Sequence, residues 1–540
     1  MEEILTIKTL WEGYDPDVED LDVTILNTTE SNGVITKRLY FTGRELAEGK
    51  TRVYAVVCNK ATHSTRPAVL VINDFNKEID EKALVDLAER GFVAMAIDYV
   101  GAKETGLFTV YPSKLSYCNA SAKQDPFDVV TSAKEIKLYE YAVNSRRAIS
   151  YLLSNEKVKG VSVFGVSKGV DVAAMVLGTD ERITNGILAL GRIWRNYPEL
   201  VLGNDEDNLS KQIEYDFKSQ SWLMGLAPQT YIMQIKVPLY IIISANSFYT
   251  NVRNANKSFA RVNCVSKLLI LPKSPDYIPS KFTGGVVKWL KGYYESEAAE
   301  IVPCREGGDY CLRVVTKQPL EKITLWYTIN AVGRGKHWMK AALKPAEDGN
   351  GYYAEISLYE PNCKVLAFVQ IDGELPTSSK LFEDTVTINN LKKANNIIFN
   401  AASGHQMPPV CTTGEWWNVN LEPKFAKGPM NIVGAVGKAF ATFAINDTSV
   451  RYNSMFTLGF DIFSEVKQEI KVTAICKFGE QNECYHLSAT VFGGKWERII
   501  YEKEKFHREN DGRRLTDKDR VDSFIISAEH EFIINNILMV

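Results

Sequence analysis

The chain has 540 residues, enough for about three domains, with 45% hydrophobic and 24% charged residues. Its formal net charge of -3 argues against a nucleic-acid footprint or an anionic-membrane surface. No apolar run reaches membrane-spanning length, and the acidic start Met1-Glu2-Glu3-Ile4 carries no apolar core of signal-peptide size.

In chain order, Leu21–Leu26, Val34–Phe41 and Thr51–Cys58 read as strands of an antiparallel opening ribbon. The period then changes. Pro67–Asn73 is a continuous apolar run, as a strand buried on both faces requires. Glu81–Gly91 reads as a helix ended by glycine, and Phe92–Tyr99 as the next buried strand. A polar, irregular stretch leads to a long helix over Lys137–Leu153. Further buried strands are expected at Ile183–Leu190, Val237–Ser244 and Ser266–Leu271, with a closing helix over Gly284–Tyr294. Alternating buried strands and helices imply a doubly wound, mostly parallel sheet.

Between these elements lies Val161-Ser162-Val163-Phe164-Gly165-Val166-Ser167-Lys168-Gly169, followed by the small-residue run Val170–Leu177. A strand enters Gly-x-Ser-x-Gly and a helix leaves it, which is the layout of a nucleophile elbow. The glycines stand where a side chain would collide with strand or helix, and the turn lifts the Ser167 hydroxyl to the carboxyl edge of the sheet. The blander reading is a serine that only fills a turn inherited with the fold.

From about 300 the helical period stops. Leu312–Val315, Ile323–Thr328, Tyr352–Leu358 and Val365–Ile371 are short strands that fit an Ig-like sandwich. The remainder is again β, ending with two strands, Val521–Ser527 and Glu531–Ile537, and has the pattern of a jelly-roll sandwich.

From residue 67 onwards the elbow and the order of elements resemble the α/β-hydrolases, in particular the dienelactone hydrolase and acetyl xylan esterase (cephalosporin deacetylase) branch. The resemblance covers roughly residues 20 to 295. Gly-Val-Ser-Lys-Gly also resembles the acyl-CoA thioesterases and bile-acid acyltransferases, but those place their β-sandwich before the hydrolase domain. The expected architecture is an α/β-hydrolase domain over 1–298 with a cap insertion at about 191–234, an Ig-like β-sandwich over 299–392 and a jelly-roll-like β-sandwich over 393–540.

The resemblance implies a serine nucleophile, Ser167, followed along the chain by an acid and then a histidine, with two backbone N–H groups as the oxyanion hole. The donors fall at Lys168, next to the nucleophile, and Phe75, in the loop after the strand ending at Asn73. The acid belongs just after Val237–Ile243, where Ser247 aligns instead. The histidine belongs after Ile270-Leu271-Pro272, where Tyr277 aligns instead. The six histidines are His63, His337, His405, His486, His507 and His530, so none falls between 63 and 337. His63 belongs at the far end of its strand; His337, beside Trp338, could reach in only if the domains fold back, and otherwise reads as an ordinary, partly exposed residue.

Asp276 is a pocket candidate, but as a free carboxylate it is a poor base at neutral pH. Lys168 could serve only if strongly desolvated; a solvated lysine is the plainer reading. Asp98 and Tyr99 end a strand at the carboxyl edge and are pocket candidates, against a turn-stabilising role for the aspartate. The insertion, with Trp194 and Trp222, is expected to form a lid. Trp416-Trp417 could stack on a sugar, against ordinary packing.

No phosphate loop or dinucleotide fingerprint occurs, and no cofactor or metal is expected. The nine cysteines lack metal-type spacing and read as reduced thiols of a cytoplasmic protein. Two functions follow. One is a serine carboxylic-ester hydrolase acting on a small or acetylated-carbohydrate ester. The other is an inactive pseudo-hydrolase that binds a ligand, carbohydrate included, or a protein partner. Expected partners are small molecules rather than nucleic acid or membrane, and the sequence leaves room for a homo-oligomer.

Overall fold

The computed structural model describes residues 3–61, 64–122, 124–125, 129–155, 157–194, 216–247, 251–272, 277–306, 309–317, 322–331, 335–346, 349, 351–402, 410–411, 419–420, 424–477 and 482–540. Its first domain is built on one nine-stranded sheet in the order β1-β2-β3-β5-β4-β6-β7-β8-β9. The antiparallel ribbon consists of β1 (Thr24–Ser31), β2 (Val34–Leu46) and β3 (Gly49–Lys60). It joins β5 (Val93–Ile97) antiparallel. From there β4 (Arg66–Ile72), β6 (Val158–Val166), β7 (Ile183–Ala189), β8 (Leu239–Ser244) and β9 (Ser266–Leu271) run parallel.

The continuous apolar runs are explained by helices on both faces. Leu70 and Ile72 point into one buried layer, which holds α3 (Lys137–Leu153) and α4 (Gly169–Thr179). Val69 and Val71 point into the other, with α2 (Glu81–Glu89) and, from farther along the chain, Phe282 and Trp289. The period-two alternation of a strand thus serves two cores at once.

Of the stretch expected to cap the carboxyl edge, the part over 216–232 lies elsewhere. It forms α5 (Phe217–Gly225) and α6 (Pro228–Ile232). Trp222 is fully buried in the main core rather than standing over the edge as a lid. Tyr231 packs on Gly178 at the end of α4 remote from Ser167, and its hydroxyl accepts from Trp11 Nε1 at 3.1 Å. These aromatics find buried partners on α1 (Ile7–Trp11) and α4, which is why they leave the edge. Residues 195–215 of the insertion lie outside the described residues. The domain continues with α7 (Val252–Phe259) and closes with α8 (Ser280–Leu290).

Residues 299–387 form two antiparallel sheets. Strand Asn362–Ile371 is buried on both faces. Val365, Ala367 and Val369 point into this domain's own core, while Leu366 and Phe368 join the core of the first domain together with Trp326, Trp338 and Leu381. Ser378 Oγ accepts the Ile270 N–H of edge strand β9 at 2.9 Å. A Cβ on Gly285 of α8 would lie 2.5 Å from Pro376 Cδ. The two domains share a core.

The last region, from Ile397 onwards, is one connected antiparallel network around a strand of 19 residues, Val521–Met539. The two terminal strands read from the sequence are therefore one. Its first half pairs with Gln468–Cys476 and its second half with Thr457–Phe463. Residues 529–531 are exposed where the pairing passes from one partner to the other, and this polar break imitates a turn.

Candidate active site

β6 runs straight into the turn at Ser167, which adopts φ +55. For a residue with a side chain this left-handed conformation costs about 1–2 kcal/mol. Three glycines make the turn fit. A Cβ on Gly165 would lie 2.4 Å from Ala173 Cβ, and one on Gly169 2.1 Å from the Ile72 carbonyl oxygen. A Cβ on Gly191, just after β7, would lie 2.1 Å from the Ser167 carbonyl oxygen. The Ser167 N–H donates to Ala189 O at 3.0 Å, tying the elbow to β7. α4 then begins at Gly169, so its positive end faces the serine. A strand order of three antiparallel strands before a crossed β5-β4 pair, then four more parallel strands, with this elbow after β6, decides the fold. The first domain is an α/β-hydrolase fold.

Of the expected oxyanion donors, the Lys168 N–H has no hydrogen-bond partner among the described residues. Phe75 is buried in the loop after β4, with its ring 5.5 Å from that of Tyr141 on α3. The residue before it was missed by the sequence reading. Asp74 is 7% exposed, and its Oδ2 accepts from Ser167 Oγ at 3.5 Å. The carboxylate is held from behind: Oδ1 accepts the Asn76 N–H at 3.0 Å, and the Asp74 carbonyl accepts the Lys77 N–H at 2.9 Å. This Asx-type turn leaves one carboxylate oxygen aimed at the serine. Among the described residues Asp74 is the hydrogen-bond partner of Ser167 Oγ.

The acid position is built differently. Ser247 is buried beyond the end of β8, and its neighbour Asn246 donates from Nδ2 to Lys336 O of the second domain at 2.8 Å. Asn446 Nδ2 of the last region donates to Gly335 O at 2.9 Å. Residues 335–338 are thus held between all three regions. His337 is 5% exposed there, not the partly exposed residue expected, because the second domain docks on the first. Tyr277 is partly exposed before α8. Asp276, His63, His405 and Trp416-Trp417 lie outside the described residues.

The remaining pocket candidates are bound within their own surroundings. Asp98 forms an ion pair with Lys103, and its Oδ2 accepts the Thr109 N–H at 2.9 Å. Burial pushes its carboxyl above the usual carboxylate range, against the pull of Lys103. Tyr99 Oη lies 3.1 Å from Ser145 Oγ, and its ring is 5.2 Å from Tyr141. Tyr99, Tyr141 and Phe75 therefore form one aromatic floor under the loop that carries Asp74. Trp194 lies under the Arg261 guanidinium at 4.5 Å.

No group of three or more histidine, cysteine or acidic side chains with metal-binding geometry occurs among the described residues. No described helix is long and apolar enough to cross a membrane.

No family model and no curated protein sequence matches the chain. Among solved structures, the chain is similar to the acetyl xylan esterase from Paenibacillus sp. R4, at 13% identity over 52% of this chain and 90% of that one, with a TM-score of 0.41. Acetyl Xylan Esterase 1 from Thermoanaerobacterium sp. JW/SL YS485 gives 11% identity over 51% and 89%, with a TM-score of 0.38. A Pyrococcus furiosus esterase gives 15% identity over 55% and 98%, with a TM-score of 0.31.

Proposed function

We propose that the first domain is a serine carboxylic-ester hydrolase for a small ester, acetylated carbohydrates included. Ser167 is the nucleophile, and the backbone N–H groups of Lys168 and Phe75 receive the oxyanion. The observation that carries this reading is the strained Ser167 backbone at φ +55, on a turn that three glycines leave room for. A serine that merely filled a turn would gain nothing from that strain. A partly exposed hydroxyl at the positive end of α4 gains a position from which to attack.

A second reading, a ligand-binding pseudo-hydrolase, is favoured by one specific observation. The Asp74 carboxylate lies beside the serine, where negative charge opposes a developing oxyanion. The test is hydrolysis of a short-chain activated acetate by the full chain and by Ser167→Ala, with a fluorophosphonate label on both. Turnover and labelling that vanish in Ser167→Ala are the expected result. No turnover and no labelling above the variant would leave the pseudo-hydrolase standing.

A further inference from the structure

Serine attack needs an acceptor for the hydroxyl proton, and the positions where this fold usually keeps its acid and base hold Ser247 and Tyr277. We propose that Asp74 is that acceptor, the base of a Ser167–Asp74 dyad. The inference rests on the reading of Ser167 as nucleophile.

Three observations carry it. First, Asp74 Oδ2 is the group that Ser167 Oγ donates to, at 3.5 Å. The contact is long, as hydrogen bonds between catalytic groups often are before substrate tightens them. Second, the carboxylate is preorganised. The Asn76 N–H fixes Oδ1, and the close seat of Gly169 against the carbonyls of Ile72 and Asn73 presses the end of β4 onto the elbow. Third, the residue is 7% exposed, so bulk water does not compete freely for it.

The charge balance removes the objection that a carboxylate spoils an oxyanion hole. Ser167 Oγ attacks the acyl carbon, the Oγ–C bond forms, and the carbonyl electron pair moves to oxygen. The Oγ proton passes to Asp74 Oδ2. The site held one negative charge on the carboxylate before this step and holds one on the oxyanion after it, beside a neutral carboxylic acid that can now donate. When the C–O bond to the alcohol breaks, Asp74 returns the proton to the departing oxygen. Water then attacks the acyl-enzyme, Asp74 takes the water proton and hands it to Ser167 Oγ as the acid leaves, and both residues are restored. Because a carboxylate is a weak base, esters whose alcohol leaves readily, such as phenyl and enol acetates, are turned over fastest, ahead of acetylated carbohydrates.

The test uses the full chain with p-nitrophenyl acetate at neutral pH. Asp74→Asn, which keeps the acceptor for the Asn76 N–H, should lose about 100-fold or more in kcat with KM little changed, and label with fluorophosphonate correspondingly slowly. A folded Asp74→Asn protein with unchanged or higher turnover overturns the proposal, while Ser167 labelling in both proteins keeps the hydrolase reading. Wild-type protein with neither labelling nor Ser167-dependent turnover overturns both.

Discussion

The ends of β6 and β8 open on the same edge of one sheet, yet they are built from different materials. At β6 the turn is made by backbone: a left-handed Ser167, glycines that admit close approach, and the Lys168 N–H. At β8 the position expected for an acid holds a buried serine next to an asparagine that clasps a neighbouring domain. Backbone machinery persists under most substitutions because any residue supplies an N–H. A proton relay is made of side chains and disappears with a few exchanges. The first end is a backbone-built turn, and the second is a structural joint.

The largest expected effect breaks the joint. Trp338 is fully buried, with its ring 5.0 Å from Phe368 at the core shared by the two domains. Trp338→Ala should cost about 3–5 kcal/mol, read as a lower urea midpoint of the first unfolding transition. A loss below about 1 kcal/mol would mean that the joint carries little load.

The next effect lies on α3, whose Tyr141 supports Phe75. Glu140 is fully buried, with Oε1 2.8 Å from Arg44 Nη2. Burial pushes its carboxyl from 4.5 up to about 7, although Arg44 pulls the other way. The folded protein thus holds this proton more tightly than the unfolded chain does. Its stabilising contribution is full below about 4.5 and declines as pH rises towards 7. Glu140→Gln does not titrate, so its stability relative to wild type should rise by about 2–3 kcal/mol between pH 4.5 and 8. A difference that stays level with pH would show the Arg44 pair to be fully ionic.

The smallest effect measures the strain at the elbow. Ser167→Gly relaxes the left-handed backbone and should stabilise the chain by about 1 kcal/mol, since loss of the side chain here removes one long hydrogen bond. A destabilised variant would mean that the Asp74 contact outweighs the strain.

Much of the fold was legible because it is written in local period. Buried strands, the elbow and the glycine-ended helix each show within about ten residues of sequence. The terminal strand was split in two because polar residues 529–531 sit where one partner strand gives way to another, a long-range fact. The burial of His337 was hidden for the same reason, since it follows from domain docking. Asp74 was overlooked although it stands beside Phe75. The usual chain order places the acid after the serine, and an oxyanion donor needs only the backbone of the loop after β4. A carboxylate directly adjoining an oxyanion donor was the available signal.

The strand at Asn362–Ile371, with a core on either side, also sets a timetable. Leu381, which helps close the first domain's core, is synthesised about 90 residues after the end of α8 at Leu290. At about 5–20 residues per second, the nascent first domain waits roughly 5–18 seconds with an unfinished apolar flank. During that interval a chaperone must shield the flank or a second nascent chain can adhere to it, so the yield of folded protein should depend on translation speed downstream of residue 290.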